Sequence, residues 1–188
     1  MRILKVGDWK SSTVSEIAGV IRSGSLLVYP TDTVYGIGCS ILSDAVDRVF
    51  GIKGREKNKP LSIAVSSMQM LEEYATITDE QRAYITNMLQ EPYTFVVNKR
   101  NVPDRVTAGL KTVGIRVLYG GVMGDAIAEA GVPVVSTSAN VAGHAPPASV
   151  SEIDQSILEA VDLVIDGGRC PVGKPSRIID LASGRRLR

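Results

Sequence analysis

Leu61-Ser62-Ile63-Ala64-Val65 reads as a strand, and the order of elements after it decides the fold. Two helical stretches come next, near Ser67–Tyr74 and Thr78–Gln90, the second opening on a good N-cap in Thr78. Only then does the chain return to strands, at Tyr93–Val97 and Val113–Leu118. In a doubly wound parallel sheet each strand hands over to one helix, and that helix to the next strand. Two helices in a row break this alternation. The pattern therefore predicts an α+β chain, layered in the α/β manner, with helices on a mixed sheet.

The same reading extends in both directions. Val14, Ile17 and Ile21 set a helical face over about Thr13–Ser23, closed by Gly24, and Leu26–Tyr29 is a short apolar strand stopped at Pro30. Ser43-Asp44 opens a helix with Val46, Val49 and Phe50 on one face. Farther on, a helix over about Met123–Ala130 ends at Gly131, and a strand at Val132–Ser136 runs into Thr137-Ser138-Ala139-Asn140. A helix near Val150–Ala160 precedes strands at Leu163–Ile165 and Arg177–Leu181. With no repeat, low-complexity segment or dividing linker, residues 1–188 are expected to form a single domain.

Bulk properties narrow the function classes. The 188 residues are 44% hydrophobic and 22% charged, near the globular average and enough for a core. Twenty acids against 21 Lys and Arg argue against a dedicated nucleic-acid binder, which is usually basic throughout. Cys39 and Cys170 stand far apart, without a CxxC pair and with one histidine in the chain, so neither a zinc constellation nor a structural disulfide is expected. Met1-Arg2-Ile3-Leu4-Lys5 turns polar at once, unlike a signal peptide, and no apolar run approaches the roughly 20 residues of a membrane span. A soluble cytoplasmic protein without a membrane partner is expected.

Against this balance, Lys53-Gly54-Arg55-Glu56-Lys57-Asn58-Lys59-Pro60 packs four cations into seven residues. Its glycine, asparagine and closing proline make it a loop. Cations so close repel one another unless an anion sits among them, so the loop points to a polyanion, either nucleotide phosphates or a nucleic-acid backbone. Gly168-Arg169-Cys170-Pro171-Val172-Gly173-Lys174 has the spacing of a P-loop, but Pro175 stands where the magnesium-binding hydroxyl belongs and a strand comes where a helix is needed. It is expected to be a connecting turn. Gly36-Ile37-Gly38 fails as a dinucleotide fingerprint because Ile41 holds the third glycine position.

Two hydroxyl-rich segments leave strand ends. Pro30-Thr31-Asp32-Thr33-Val34-Tyr35-Gly36 reads equally as a donor-rich ligand loop or as a capped turn. Ser136-Thr137-Ser138-Ala139-Asn140 places hydroxyls on alternate residues, followed by an amide, which suits either phosphate or ribose recognition or plain turn chemistry. Arg116 puts a charge inside an apolar strand, pointing either to solvent at a sheet edge or into a cavity where it meets an anion or a carboxylate. His144, in Gly143-His144-Ala145-Pro146-Pro147, has no triad around it. Arg185-Arg186-Leu187-Arg188 is either a solubilising tail or a flap onto phosphate. No nucleophile and no metal cage emerges, which leaves a site that works by holding anions.

Taken in order, these blocks resemble the YrdC/Sua5 family of threonylcarbamoyladenylate synthases, from about Ser25 to Asp180. Lys53-Gly54-Arg55 is similar to its K-x-R hallmark, Lys59-Pro60-Leu61 to its Lys-Pro-Leu, Ser138-Ala139-Asn140 to its S-x-N, and Pro30–Gly36 to its opening block. Gly114-Ile115-Arg116-Val117 and Pro175-Ser176-Arg177-Ile178-Ile179-Asp180 match later blocks. The resemblance implies a YrdC/RibB-like twisted mixed sheet around a concave basic cavity. It also implies synthesis of threonylcarbamoyl-AMP and pyrophosphate from L-threonine, bicarbonate or CO2, and ATP, for the t6A modification of tRNA. By the same resemblance Lys53 and Arg55 are catalytic, and Thr33 and Ser176 bind L-threonine. Arg55, Lys59, Arg116, Ser138 and Asn140 bind the nucleotide, with Mg2+ on the ATP phosphates and no protein metal site. The t6A transferase machinery is the implied downstream partner. Ala64 stands where some relatives carry a histidine, and Ala148 where many carry a hydroxyl.

Two other classes are separable. A tRNA- or double-stranded-RNA-binding module would weaken steeply with salt and do no chemistry, and the near-neutral charge and few aromatics count against it. A carbamoyl-adenylate-forming domain like that of hydrogenase maturation proteins is normally part of a multidomain chain with zinc-finger cysteines.

Overall fold

In the computed structural model of the protein, which describes residues 2–7 and 10–183 and the backbone of 185–186, Ser62–Val65 lies deep inside one large sheet. Numbered along the chain, the strands are β1 (Arg2–Lys5), β2 (Leu27–Tyr29), β3 (Gly36–Gly38), β4 (Ser62–Val65), β5 (Ala75–Thr76), β6 (Tyr93–Lys99), β7 (Thr112–Val117), β8 (Val134–Ser138), β9 (Leu163–Asp166), β10 (Arg177–Asp180) and β11 (Arg185–Arg186). They run in the order β1-β9-β2-β3-β8-β4-β7-β6-β10-β11, with β5 paired to β6. The pairs β1·β9, β9·β2, β4·β7 and β6·β10 are parallel, while β2·β3, β3·β8, β8·β4 and β7·β6 are antiparallel. The sheet is mixed, as the paired helices after β4 predict.

Those two helices are α3 (Met68–Tyr74) and α4 (Asp79–Asn87), separated by the two-residue β5. Ser67 caps α3 by accepting from the Met70 amide at 3.1 Å. Thr78 and Gln81 form a reciprocal capping box on α4, satisfying two amides that the helix start would leave bare. After α5 (Asp104–Thr107), α6 (Gly121–Ala130) packs on α1 (Ser11–Arg22); Ile17, Ala18 and Ile21 are buried on α1, and Val122, Ala126 and Ile127 on α6. Each fully buried isoleucine contributes about 1.5–3 kcal/mol. Gly24, at φ 74°, ends α1, and Gly131, at φ 70°, ends α6.

The structure departs from the sequence reading in several places. β1 was not expected. The helix expected over Val150–Ala160 is divided into a 3-10 turn (Val150–Glu152) and α7 (Gln155–Ala160). Asp154, between them, turns its carboxylate to the Val141 amide and to His144 instead of continuing a helix. β8 runs to Ser138, so Thr137 and Ser138 are strand, and only Ala139-Asn140 form its exit. The unexpected β3 exists because its glycines admit close neighbours. A Cβ on Gly36 would lie 2.9 Å from the Tyr29 ring, and one on Gly38 would lie 1.7 Å from the Val135 carbonyl oxygen. This tight β2–β3 hairpin holds the Pro30–Tyr35 loop over the sheet.

Candidate active site

The short helix α2 (Val46–Lys53) delivers the first cation. Val46, Val49 and Phe50 bury its inner face, and Lys53 falls in its last turn, where a cation complements the helix dipole. Gly54, left-handed at φ 58°, stops the helix and turns the chain into the basic loop. The Lys53 side chain is 3% exposed. Its ammonium donates to the carbonyls of Ser138 and of Asn140, the latter at 2.8 Å. Burial, reinforced by Arg55, pushes its pKa down to about 8.

The four cations of the loop have different neighbours. Lys57 pairs with Asp47 at 3.0 Å and Lys59 with Glu56 at 3.0 Å, both in solvent. Arg55 instead donates to the backbone carbonyls of Lys59 and Pro60, at 3.3 and 2.7 Å, which folds the loop back on itself. Burial lowers its pKa. Among the described residues neither Lys53 nor Arg55 has a carboxylate within salt-bridge range. Of the four loop cations, Lys53 and Arg55 are thus the two whose charge no described carboxylate balances.

Two cavities meet at Arg55, Thr137 and Ser138. The first, of about 220 Å³, is lined by hydroxyls from three sources: Thr31 and Thr33 of the hairpin loop, Ser62, Thr94 and Ser136 on neighbouring strands, and Ser176 before β10. Arg116 also lines it. Gly114 keeps its floor open, since a Cβ there would lie 2.5 Å from the Ser62 hydroxyl. At this size it suits an amino acid better than the drug-sized ligands that fill roughly 300–1,000 Å³. The second cavity, of about 340 Å³, is lined by Lys53, Arg55, Lys59, Ser138, Asn140 and the Gly143 loop. It suits an anion.

Arg116, on β7, is 7% exposed. Its guanidinium donates to Asp32 and to the Thr33 hydroxyl, so of the two sequence alternatives it points inward. Burial lowers its pKa, with Asp32 opposing. Thr31 organises the loop beneath it, accepting from the amides of Thr33 and Val34 and donating to the Val34 carbonyl at 2.7 Å. Asn140 donates to the carbonyls of Val141 and His144 at 2.9 and 2.8 Å, leaving its buried Oδ1 without a partner among the described residues.

Thr33, Arg55, Arg116, Ser138 and Ser176 thus surround the first cavity, and Lys53, Arg55, Lys59, Ser138 and Asn140 the second. Arg116, expected with the nucleotide residues, lines the first cavity and not the second. The P-loop look-alike is a turn before β10, and Pro175 and Ser176 from its end line the first cavity. His144 lies on the surface and bonds Asp154 at 2.9 Å. Of the Arg185–Arg188 end only the β11 backbone is described, and Leu187 and Arg188 lie outside the described residues. Ser62 and Thr94 were missed in the sequence. The signal was present: each is a hydroxyl inside an apolar strand, where Arg116 had drawn attention for the same reason.

A mixed sheet carrying a hydroxyl-lined pocket beside a cationic one defines a class of small-molecule and anion-binding α+β proteins. The family model described as "Telomere recombination", which groups the Sua5, YciO and YrdC proteins, matches residues 19–188, and the chain belongs to that family. A protein of Methanocaldococcus jannaschii, provisionally named threonylcarbamoyl-AMP synthase, is 39% identical over 163 residues, 86% of this chain and 76% of its own. The threonylcarbamoyl-AMP synthase of Pyrococcus abyssi is 34% identical over 180 residues, 94% of this chain and 52% of its own. The crystal structure of P. abyssi Sua5 complexed with L-threonine matches with a TM-score of 0.90 at 32% identity, over 97% of this chain and 55% of that one. The chain spans about half the length of the Pyrococcus protein.

Proposed function

We propose that the chain is an L-threonylcarbamoyladenylate synthase, an adenylyl-transferring enzyme that makes threonylcarbamoyl-AMP and pyrophosphate from L-threonine, bicarbonate or CO2, and ATP. The observation that carries the reading is the pair Lys53 and Arg55, without a carboxylate partner among the described residues: Arg55 lies where the hydroxyl-lined cavity meets the cationic one, and Lys53 lines the cationic one, bonded to the Ser138 carbonyl at that meeting point. Threonine occupies the first cavity, its carboxylate on Arg116 and its polar groups among Thr33, Thr94 and Ser176. The triphosphate occupies the second, along Arg55, Lys59, Ser138 and Asn140. At their junction the carbamate oxygen of N-carboxythreonine attacks the α-phosphorus, and pyrophosphate leaves into the cationic cavity. Lys53 and Arg55 meet the charge that develops there without reorganising. Holding two reactants in adjoining pockets supplies the entropic part of the acceleration.

Among the described residues no group of three or more His, Cys, Asp or Glu side chains could hold a metal. The carboxylate lining the second cavity is Glu56, which is occupied with Lys59. These residues fit Mg2+ carried in on the phosphates, where it would neutralise part of their charge. Among the described residues no helix is long and apolar enough to cross a membrane. A cytoplasmic setting accords with the reading, with the t6A transferase machinery as recipient of the product. Cations sunk in two small cavities favour a small anion over an RNA duplex, whose phosphates need a surface track. The test is pyrophosphate release from ATP with bicarbonate and Mg2+. Release that requires L-threonine is expected, and release indifferent to threonine overturns the reading.

A further inference from the structure

The first cavity has a distinctive charge inventory for a site that must make an amine nucleophilic. Arg55 and Arg116 are the only charged side chains among its described lining residues. The rest are hydroxyls, glycine and apolar groups, so no carboxylate, histidine or lysine is among the described residues that line the space where threonine would lie. The Tyr35 hydroxyl is turned away, donating to the Gly168 carbonyl at 2.7 Å beside Asp166. Asp32 grips Arg116 but does not line this cavity, lying instead in an adjoining one that shares Thr31 and Arg116 with it, and Tyr29 and Cys170 are the other titratable groups that sense Arg116. Through the junction the cavity faces Lys53 and Lys59, with Glu56 held by Lys59. Arg116 is balanced by Asp32, whereas among the described residues Lys53 and Arg55 meet backbone carbonyls and no carboxylate.

Threonine in water carries an ammonium group, and only its neutral amine attacks CO2. The nitrogen lone pair forms the N–C bond, a C=O electron pair moves onto oxygen, and the nitrogen gives up a proton, leaving a carbamate anion. From the ammonium, two protons must therefore go to water. A fixed positive field disfavours the ammonium and favours both the amine and the carbamate. Building on the synthase reading, we infer that this cavity binds L-threonine with its amine deprotonated, Lys53 and Arg55 expelling the proton electrostatically in place of a general base. The hydroxyls hold the amine by hydrogen bonds that need no charge.

The test is calorimetric titration of the full chain with L-threonine near pH 7, in buffers of different ionisation enthalpy, which counts the protons released. About one proton per threonine is expected, with Kd tightening about tenfold per pH unit until the free amine titrates. (R)-3-hydroxybutyrate, which keeps the carboxylate and hydroxyl but lacks the amine, should release none. Threonine that binds and supports pyrophosphate release with no proton released and a flat Kd overturns the inference and leaves the synthase reading standing. Threonine that neither binds nor stimulates pyrophosphate release overturns the synthase reading and this inference with it.

Discussion

Lys53→Met separates a structural lysine from a catalytic one. The drop from 10.5 to about 8 in the buried ammonium's pKa amounts to about 3 kcal/mol against its charged form, at roughly 1.4 kcal/mol per pKa unit. Methionine keeps an unbranched chain one atom shorter than lysine's and removes that cost. It also strips the carbonyls of Ser138 and Asn140 of their donor, at about 1–3 kcal/mol each where water cannot replace it. The terms oppose, so unfolding free energy should change by between a gain of about 1 and a loss of about 3 kcal/mol. Turnover should fall far more, by about 2.7–4 kcal/mol or roughly 10²–10³ in kcat, as for removal of one oxyanion-hole donor. Urea unfolding and pyrophosphate release on the same preparation read both quantities.

The pH dependence gives a second handle on the same residue. Its folded pKa is depressed, so between pH 8 and 10.5 the folded chain has lost a proton that the unfolded chain still holds. Wild-type stability, taken relative to Lys53→Met, should therefore rise across that window. ATP, by restoring an anion beside the ammonium, should bind more weakly above pH 8 as proton uptake becomes necessary. A variant that keeps wild-type kcat and ATP affinity, or whose loss is fully explained by its unfolded fraction, refutes the reasoning and leaves Lys53 a strut.

Other perturbations address the surroundings. Asp32→Asn leaves buried Arg116 without its carboxylate. Because Asp32 is half exposed, the cost should fall below the about 3–5 kcal/mol of a fully buried pair, and KM for threonine should rise more than KM for ATP in steady-state assays. Gly38→Ala drives a methyl into the Val135 carbonyl, a backbone atom that cannot yield, so destabilisation of more than about 3 kcal/mol is expected by urea unfolding. Thr78→Ala removes the α4 capping box, lowering stability by about 1 kcal/mol with kcat unchanged, since α4 lines neither cavity.

Much of the architecture was legible because the long apolar patterns carry it. The strand near Leu61–Val65, the two helices behind it and the glycine stops after α1 and α6 all stand close to where their residues place them. The short elements were not legible, for identifiable reasons. β3 is Gly-Ile-Gly, poor in strand propensity, and it forms only because Tyr29 and Val135 come close enough to exclude any Cβ. β5 is two residues long and owes its existence to β6. The break at Asp154 comes from a tertiary partner, the Val141 amide, which no local pattern reveals.

The site was legible in part, and for a different reason. Charge and hydroxyl clusters stand out from an average background, so the basic loop, the hairpin loop and the Ser136–Asn140 segment drew attention. Their division of labour did not show. Sequence placed four cations together, whereas the fold gives Lys57 and Lys59 carboxylate partners, sets Arg55 at the junction of the two cavities and sinks Lys53 into the wall of the second. Ser62 and Thr94 face one another across β7 only because Gly114 lies between them.

The central claim is that carbon from bicarbonate is joined to threonine and then to AMP at that junction. Incubating the chain with ATP, Mg2+, L-threonine and 13C-labelled bicarbonate, with mass spectrometry of the products, tests it directly. The account predicts threonylcarbamoyl-AMP carrying the label, formed with pyrophosphate and lost in Lys53→Met. Pyrophosphate accompanied by AMP alone, or an adenylate without the label, would contradict it.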